Sequence, residues 1–125
     1  MKNKRSLISV VDDDESIRES LPDFLRSFGH EVRPFASADE FLKCAENLDW
    51  TACLILDIAM PGMSGLELQL ELARRERSIP IVFITAYTDD TLKRQALTRG
   101  AVACLSKPFS ECALIDAVTA ALARD

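Results

Sequence analysis

The chain has 125 residues, 48% of them apolar and 28% charged, with a formal net charge of −5. These proportions fit one globular domain of common size and exclude a disordered tail or a collagen-like repeat. Fifteen Lys and Arg against twenty Asp and Glu also argue against nucleic acid as a direct ligand of this domain, because that affinity rests on neutralising phosphates.

Leu7-Ile8-Ser9-Val10-Val11 reads as a first strand. Over residues 16–28 the apolar side chains Ile17, Leu21, Phe24, Leu25 and Phe28 form one helical stripe, with Pro22 awkwardly inside it and Gly29 just past its end. Glu31-Val32-Arg33-Pro34-Phe35 is a short polar strand whose proline points to a sheet edge. Ser37-Ala38-Asp39-Glu40 is a capping box opening a helix with Phe41, Leu42 and Ala45 on one side, and Trp50 packs at the entrance to the next strand. Cys53-Leu54-Ile55-Leu56 is wholly apolar, as a parallel strand covered on both faces must be.

A loop over 57–64 leads to a second capping box, Ser64-Gly65-Leu66-Glu67, and a helix to about Glu76, where the cluster Arg74-Arg75-Glu76-Arg77 reads as a solvated end matched to the helix dipole. Ile81-Val82-Phe83-Ile84 follows as a fourth strand, then a helix over 90–98 closed by Gly100. Val102-Ala103-Cys104-Leu105 is the fifth strand, and Ser110 caps a last helix with Leu114, Ile115, Val118, Ala121 and Leu122 as its buried stripe. Five strands alternating with five helices imply an α/β domain with a mainly parallel sheet, whose ligands bind at the carboxyl ends of the strands.

Other classes fall on the same reading. No apolar run reaches the ~18 residues that span a bilayer. The basic start, Met1 to Arg5, lacks the apolar core of a signal peptide, since the stretch that follows meets three aspartates after Val11. Cys44, Cys53, Cys104 and Cys112 show no C-x-x-C spacing and lie far from His30, the single histidine, so neither a zinc site nor a disulfide framework is expected. Cys53 and Cys104 read as small core hydrophobes, and Met60 and Met63 as loop packing. A reduced, cytoplasmic setting follows.

Complementary groups gather where the strands end. The first strand runs into Asp12-Asp13-Asp14-Glu15, the third into Asp57, the fourth into Thr85 and the fifth into Ser106-Lys107-Pro108. Strands ~4.8 Å apart bring the carboxylates of strands one and three into one cup. Carboxylates that close repel unless a cation joins them, and hard oxygen ligands suit Mg²⁺, or Mn²⁺ as a substitute. Lys107 supplies a fixed positive charge and Thr85 a hydroxyl donor, so the set can receive a phosphoryl group on a carboxylate. Asp14 reads as the cap of the first helix.

The motifs Val10-Val11-Asp12-Asp13, Leu56-Asp57-Ile58-Ala59-Met60-Pro61-Gly62-Met63-Ser64-Gly65, Ile84-Thr85-Ala86 and Lys107-Pro108-Phe109 resemble the receiver domains of two-component response regulators, most of all those of the nitrogen-fixation-type transcriptional regulators. The resemblance covers essentially the whole chain, with one receiver domain over residues 1–125. It implies a flavodoxin-like (βα)5 fold with strand order 2-1-3-4-5 and helices on both faces, an arrangement the chemotaxis receiver illustrates. It further implies that Asp57 accepts a phosphoryl group from the histidine of a sensor kinase. Asp12 and Asp13 would hold Mg²⁺ with Asp57 and the Ala59 carbonyl, Lys107 would pair with the phosphoryl oxygens, and Thr85 would move toward them. The Lys107–Pro108 bond is a candidate cis peptide. The helix from Asp90, the fifth strand and the last helix form the face such domains use for homodimers or output contacts.

Two positions depart from the family pattern. Cys104 stands where an aromatic switch residue is usual, with Tyr87 as a possible partial substitute, and Ala59 offers no side chain to shield the phosphoryl group. The implied role is a phospho-acceptor with self-phosphorylation and autodephosphorylation chemistry only, within a transcriptional regulator. Two alternatives stand beside it. Asp12-x-Asp14 after a strand fits a haloacid-dehalogenase-type aspartyl phosphatase, and a pseudo-receiver scaffold would share the fold without the chemistry.

Overall fold

A computed structural model describes residues 7–86 and 90–124. The strands β1 (Leu7–Val11), β2 (Glu31–Phe35), β3 (Thr51–Asp57), β4 (Ile81–Thr85) and β5 (Ala103–Ser106) form one sheet in the order β2-β1-β3-β4-β5, with every neighbouring pair parallel. Between and after them run α1 (Glu15–Arg26), α2 (Ala38–Leu42), α3 (Ala45–Trp50), α4 (Gly65–Arg74), α5 (Asp90–Thr98) and α6 (Glu111–Ala123).

Every residue of β1, β3 and β4 is buried, which is why these strands read as unbroken apolar runs rather than alternating ones. β2 lies at the edge and is only partly covered, with Val32 and Phe35 buried and Glu31, Arg33 and Pro34 exposed. Pro34 has no N–H to donate, and an edge position leaves that side of the strand unpaired. Side chains of successive strand residues enter two cores. One holds Leu54, Leu56 and Phe83 with Phe41, Leu48, Leu68, Leu72 and Ala96 from α2 to α5. The other holds Ile8, Val10, Ile55, Val82 and Ile84 with Leu21, Leu25, Leu114 and Val118 from α1 and α6. At ~1.5–3 kcal/mol for each large apolar side chain removed from water, these two layers are the main source of stability.

The expected second helix is two helices. Ser37 caps α2 by accepting from Glu40 N, but the Glu40 carboxylate takes the N–H of Ala36 rather than that of the cap residue, so the reciprocal box is not closed. The helix stops after Leu42, and Asn47 Nδ2 donates to the Phe41 carbonyl at 2.9 Å, which satisfies an acceptor at that break. Consequently Ala45 is exposed, and Asn47 and Leu48 face the core instead. Trp50 does stand at the entrance to β3, yet it is 48% exposed. Phe28 leaves the predicted stripe because α1 ends at Arg26, and it stacks edge-on to Phe24 while remaining 54% exposed.

Elsewhere the boundaries shift by one or two residues. α4 ends at Arg74, with Arg74 and Arg75 both bonded to Glu71 and Arg77 paired with Asp49. β5 begins at Ala103, and in α6 Ala117 takes a fully covered position while Ile115 and Leu122 are half-buried. Gly29 and Gly100 close their helices at φ 90° and 102°, a region open to glycine at little cost. All four cysteines are free thiols; Cys53 is buried and Cys104 half-buried against the first core. Tyr87 lies outside the described residues.

Candidate functional site

The acidic run after β1 separates into three roles. Asp12 N donates to the Phe35 carbonyl at 3.1 Å, which extends the β1–β2 ladder by one step and turns the Asp12 side chain inward, where it is fully buried. Its Oδ1 accepts the Asp14 N–H at 2.9 Å, and Arg18 Nη1 donates to its carbonyl at 3.0 Å. Asp13 stays exposed at the rim. Asp14 caps α1, accepting from Ser16 N and Ser16 Oγ, and those bonds lower its pKa.

Asp57 closes β3, paired in register with Ile84, and is 6% exposed. Its Oδ1 accepts from Ala59 N at 3.3 Å. Gly65, the first residue of α4, lies against this main chain and donates to the Ile58 carbonyl at 2.8 Å. A Cβ at position 65 would stand 2.1 Å from the Asp57 carbonyl oxygen, so only glycine lets α4 begin there. Both bonds of the Ser64–Glu67 capping box are formed and hold that helix start in place.

Lys107 follows β5 and joins the two carboxylates. Its Nζ lies 2.9 Å from Asp12 Oδ2 and 3.6 Å from Asp57 Oδ2, and its main-chain N–H donates to the Thr85 carbonyl at 2.7 Å. No hydrogen-bond donor of good geometry reaches Asp12 Oδ2 among the described residues; the Lys107 charge is what faces it. The Lys107–Pro108 peptide is cis. Thr85 is buried at the end of β4, opposite Ser106 of β5.

The electrostatics follow from this crowding. Burial, and then the neighbouring Asp12 carboxylate, push the Asp57 carboxyl up to about 7, against the opposing pull of Lys107 and the Ala59 N–H. Burial disfavours the Lys107 charge, but the ion pair with Asp12 and the charge of Asp57 outweigh it and raise its pKa. Carboxylate oxygens of Asp12, Asp13 and Asp57 lie within 4.8 Å of one another, a hard-oxygen set that fits a small divalent cation.

The expected cluster of Asp12, Asp13, Asp57, Thr85 and Lys107 therefore comes together at one end of the sheet, and Ala59 borders it. Cys104 sits two residues back along β5, facing the core under α5. Sequence reading missed two supporting residues. Gly65 was visible only as a glycine at a helix start, and the close approach that demands it appears only in three dimensions. Arg18 carries no sequence signal, and its part appears only in its bond to the Asp12 carbonyl.

An α/β sheet of this order is the flavodoxin-like, doubly wound class, and its three carboxylates and lysine gather beyond the carboxyl ends of the strands, where that class binds its ligands. Residues 8–119 match the family described as response regulator receiver domain. The chain is 48% identical over 121 residues to nodulation protein W of Bradyrhizobium diazoefficiens, covering 97% of this chain and 53% of that protein. It is 41% identical over 117 residues to the transcriptional regulatory protein FixJ of Azorhizobium caulinodans, covering 94% of this chain and 55% of that protein. Among solved structures, FixJ-N superposes with a TM-score of 0.87 at 33% identity, covering 100% of this chain and 98% of that one. The chain belongs to the response regulator receiver domain family. It spans about half the length of the curated relatives it matches. Among the described residues no helix is long and apolar enough to cross a membrane.

Proposed function

We propose that this chain is a phosphorylatable switch over residues 1–125, in which Asp57 accepts a phosphoryl group from the histidine of a sensor kinase. The observation that carries this reading is the placing of Lys107 between Asp12 and Asp57, with the Asp57 carboxylate held by the Ala59 N–H at the edge of the site. Asp57 Oδ2 is the attacking oxygen: it forms the new O–P bond as the bond from phosphorus to the donor nitrogen breaks. Lys107 stands where it can meet the phosphoryl oxygens, and Thr85 supplies a hydroxyl at the neighbouring strand end. Asp12, Asp13, Asp57 and the Ala59 carbonyl would hold Mg²⁺, or Mn²⁺ in its place. Bound there, the cation would offset the negative charge gathered by carboxylates and phosphate. Lys107 alone offsets only part of that charge.

The domain carries out self-phosphorylation and autodephosphorylation on its own aspartate and turns over no outside substrate. It acts in the cytoplasm, as the N-terminal part of a transcriptional regulator, with α5, β5 and α6 as the homodimer or output face. The similarity to the transcriptional regulatory protein FixJ, about twice as long as the matched segment, supports this. The phosphatase alternative needs both carboxylates of Asp12-x-Asp14 at the reacting centre, and the Asp14 side chain is instead turned to cap α1. Incubation with Mg²⁺ and acetyl phosphate tests the proposal. Label on Asp57 that is labile to hydroxylamine and abolished by Asp57→Asn and by chelator supports it. Multiple turnover of an outside phosphate ester dependent on Asp12 would favour the phosphatase, and no modification would leave a scaffold.

A further inference from the structure

Among its described residues α5 buries only Ala96; Leu92 is half-buried and Leu97 is 47% exposed. An element with so little covered apolar surface is loosely held by packing. Side-chain hydrogen bonds from α5 and to it reach the elements on either flank. From α4, Gln69 Nε2 donates to the Ala96 carbonyl at 3.1 Å. On the other flank, Lys93 Nζ donates to Ser106 Oγ at 2.5 Å in half-buried surroundings.

Ser106 is one residue from the phosphoryl site. It is the register partner of Thr85, as Cys104 is of Phe83, and Phe83 and Cys104 belong to the core beneath α2 to α5. With side chains alternating along each strand, Thr85 and Ser106 share that same face. The residue after Ser106 is Lys107, whose N–H holds the Thr85 carbonyl and whose ammonium reaches Asp12 and Asp57. Burial raises the Cys104 thiol's pKa, and the nearby Lys93 charge opposes that rise.

We infer that Lys93, through its hydrogen bond to Ser106, is the positioning residue that carries the state of the acidic site to α5. This rests on the phospho-acceptor reading of Asp57. A half-buried ammonium requires an acceptor, and losing it costs more than forming the bond contributes. A phosphoryl group on Asp57 adds a charge of about −2 beside Lys107 and Thr85. Both are joined through main chain to Ser106, so their movement toward the new oxygens draws Ser106 away from Lys93. α5 then loses one of its ties to the sheet and loosens.

Backbone hydrogen exchange of ¹⁵N-labelled protein tests this, with and without Mg²⁺ and beryllofluoride as the phosphoryl mimic. In the unsubstituted chain the mimic shifts the Ala59 and Lys107 amides and speeds exchange over residues 94–98 by about tenfold, the worth of one such bond. Lys93→Met shows that faster exchange already without the mimic, which then adds little, while the Ala59 and Lys107 shifts and the exchange of β3 are kept. Ser106→Ala behaves as Lys93→Met does, and Lys93→Arg restores the original pattern because a guanidinium still donates. Exchange in Lys93→Met that matches the unsubstituted chain, or that the mimic still raises tenfold, overturns the inference while leaving the site reading intact. Absence of any Ala59 or Lys107 shift in the unsubstituted chain overturns both.

Discussion

Replacing Gly65 by alanine places a Cβ 2.1 Å from the Asp57 carbonyl oxygen, 2.9 Å from its carbonyl carbon and 3.0 Å from Ile58 Cα. All three neighbours are main chain, so no side chain can swing aside, and the gap to the oxygen must open by about 1 Å to reach ordinary contact. Either α4 retreats and the 2.8 Å bond from Gly65 N to the Ile58 carbonyl lengthens, or Asp57 moves relative to Lys107. Overpacking of this kind costs ~1–3 kcal/mol and a lost hydrogen bond ~1 kcal/mol, together a fall in Tm on the order of 10 °C. A displacement of ~1 Å at a reacting carboxylate slows transfer by on the order of 10²-fold. Thermal unfolding by circular dichroism and the rate of labelling by acetyl phosphate read the two effects separately. A Gly65→Ala variant with unchanged Tm and an unchanged labelling rate would refute the close approach of α4 to Asp57 and the positioning role drawn from it.

Four further outcomes follow from the charges and bonds around Asp12 and Asp57. Asp57 has a folded pKa of about 7 against an ordinary 3.8, so between those values the folded protein holds a proton that the unfolded chain has lost, and its contribution to stability falls as pH rises through 7. Asp57→Asn should therefore unfold at higher temperature than the parent at pH 8, by ~1–2 kcal/mol after allowing for solvent at the site, with the gain vanishing near pH 4. Lys107→Met leaves the fully buried Asp12 carboxylate without its cation, which should cost ~3–5 kcal/mol in urea unfolding at pH 7.5, and Asp12→Asn in the same chain should recover most of it. Mg²⁺ at 100 times its Kd should stabilise the parent by ~2.7 kcal/mol in a thermal shift and should do little for Asp57→Asn. Arg18→Ala, which frees the Asp12 carbonyl, should weaken that Mg²⁺ response several-fold without unfolding the chain.

The strands were legible because β1, β3 and β4 are buried on both faces and carry apolar side chains at nearly every position. Asp12, Asp57, Thr85 and Lys107 could be gathered on paper because each ends a strand, and a parallel sheet brings those ends to one edge. The break between α2 and α3 was not legible, since it depends on Asn47 folding back onto the Phe41 carbonyl, a contact that periodicity does not encode. Phe28 and Ala45 look apolar in a helical stripe, but one lies past a helix end and the other just after a break. Gly65 and Lys93 act through tertiary approach to main chain and to Ser106, and nothing local marks them.

The most direct measurement traps the phosphorylated species itself. Protein treated with acetyl phosphate and Mg²⁺ is reduced with borohydride, which converts an aspartyl phosphate to homoserine, and its peptides are then mapped by mass spectrometry. The expected product is homoserine at position 57 alone, absent without Mg²⁺ and absent from Asp57→Asn. Homoserine at position 12 or 13, or none at any position, would contradict the role assigned to Asp57.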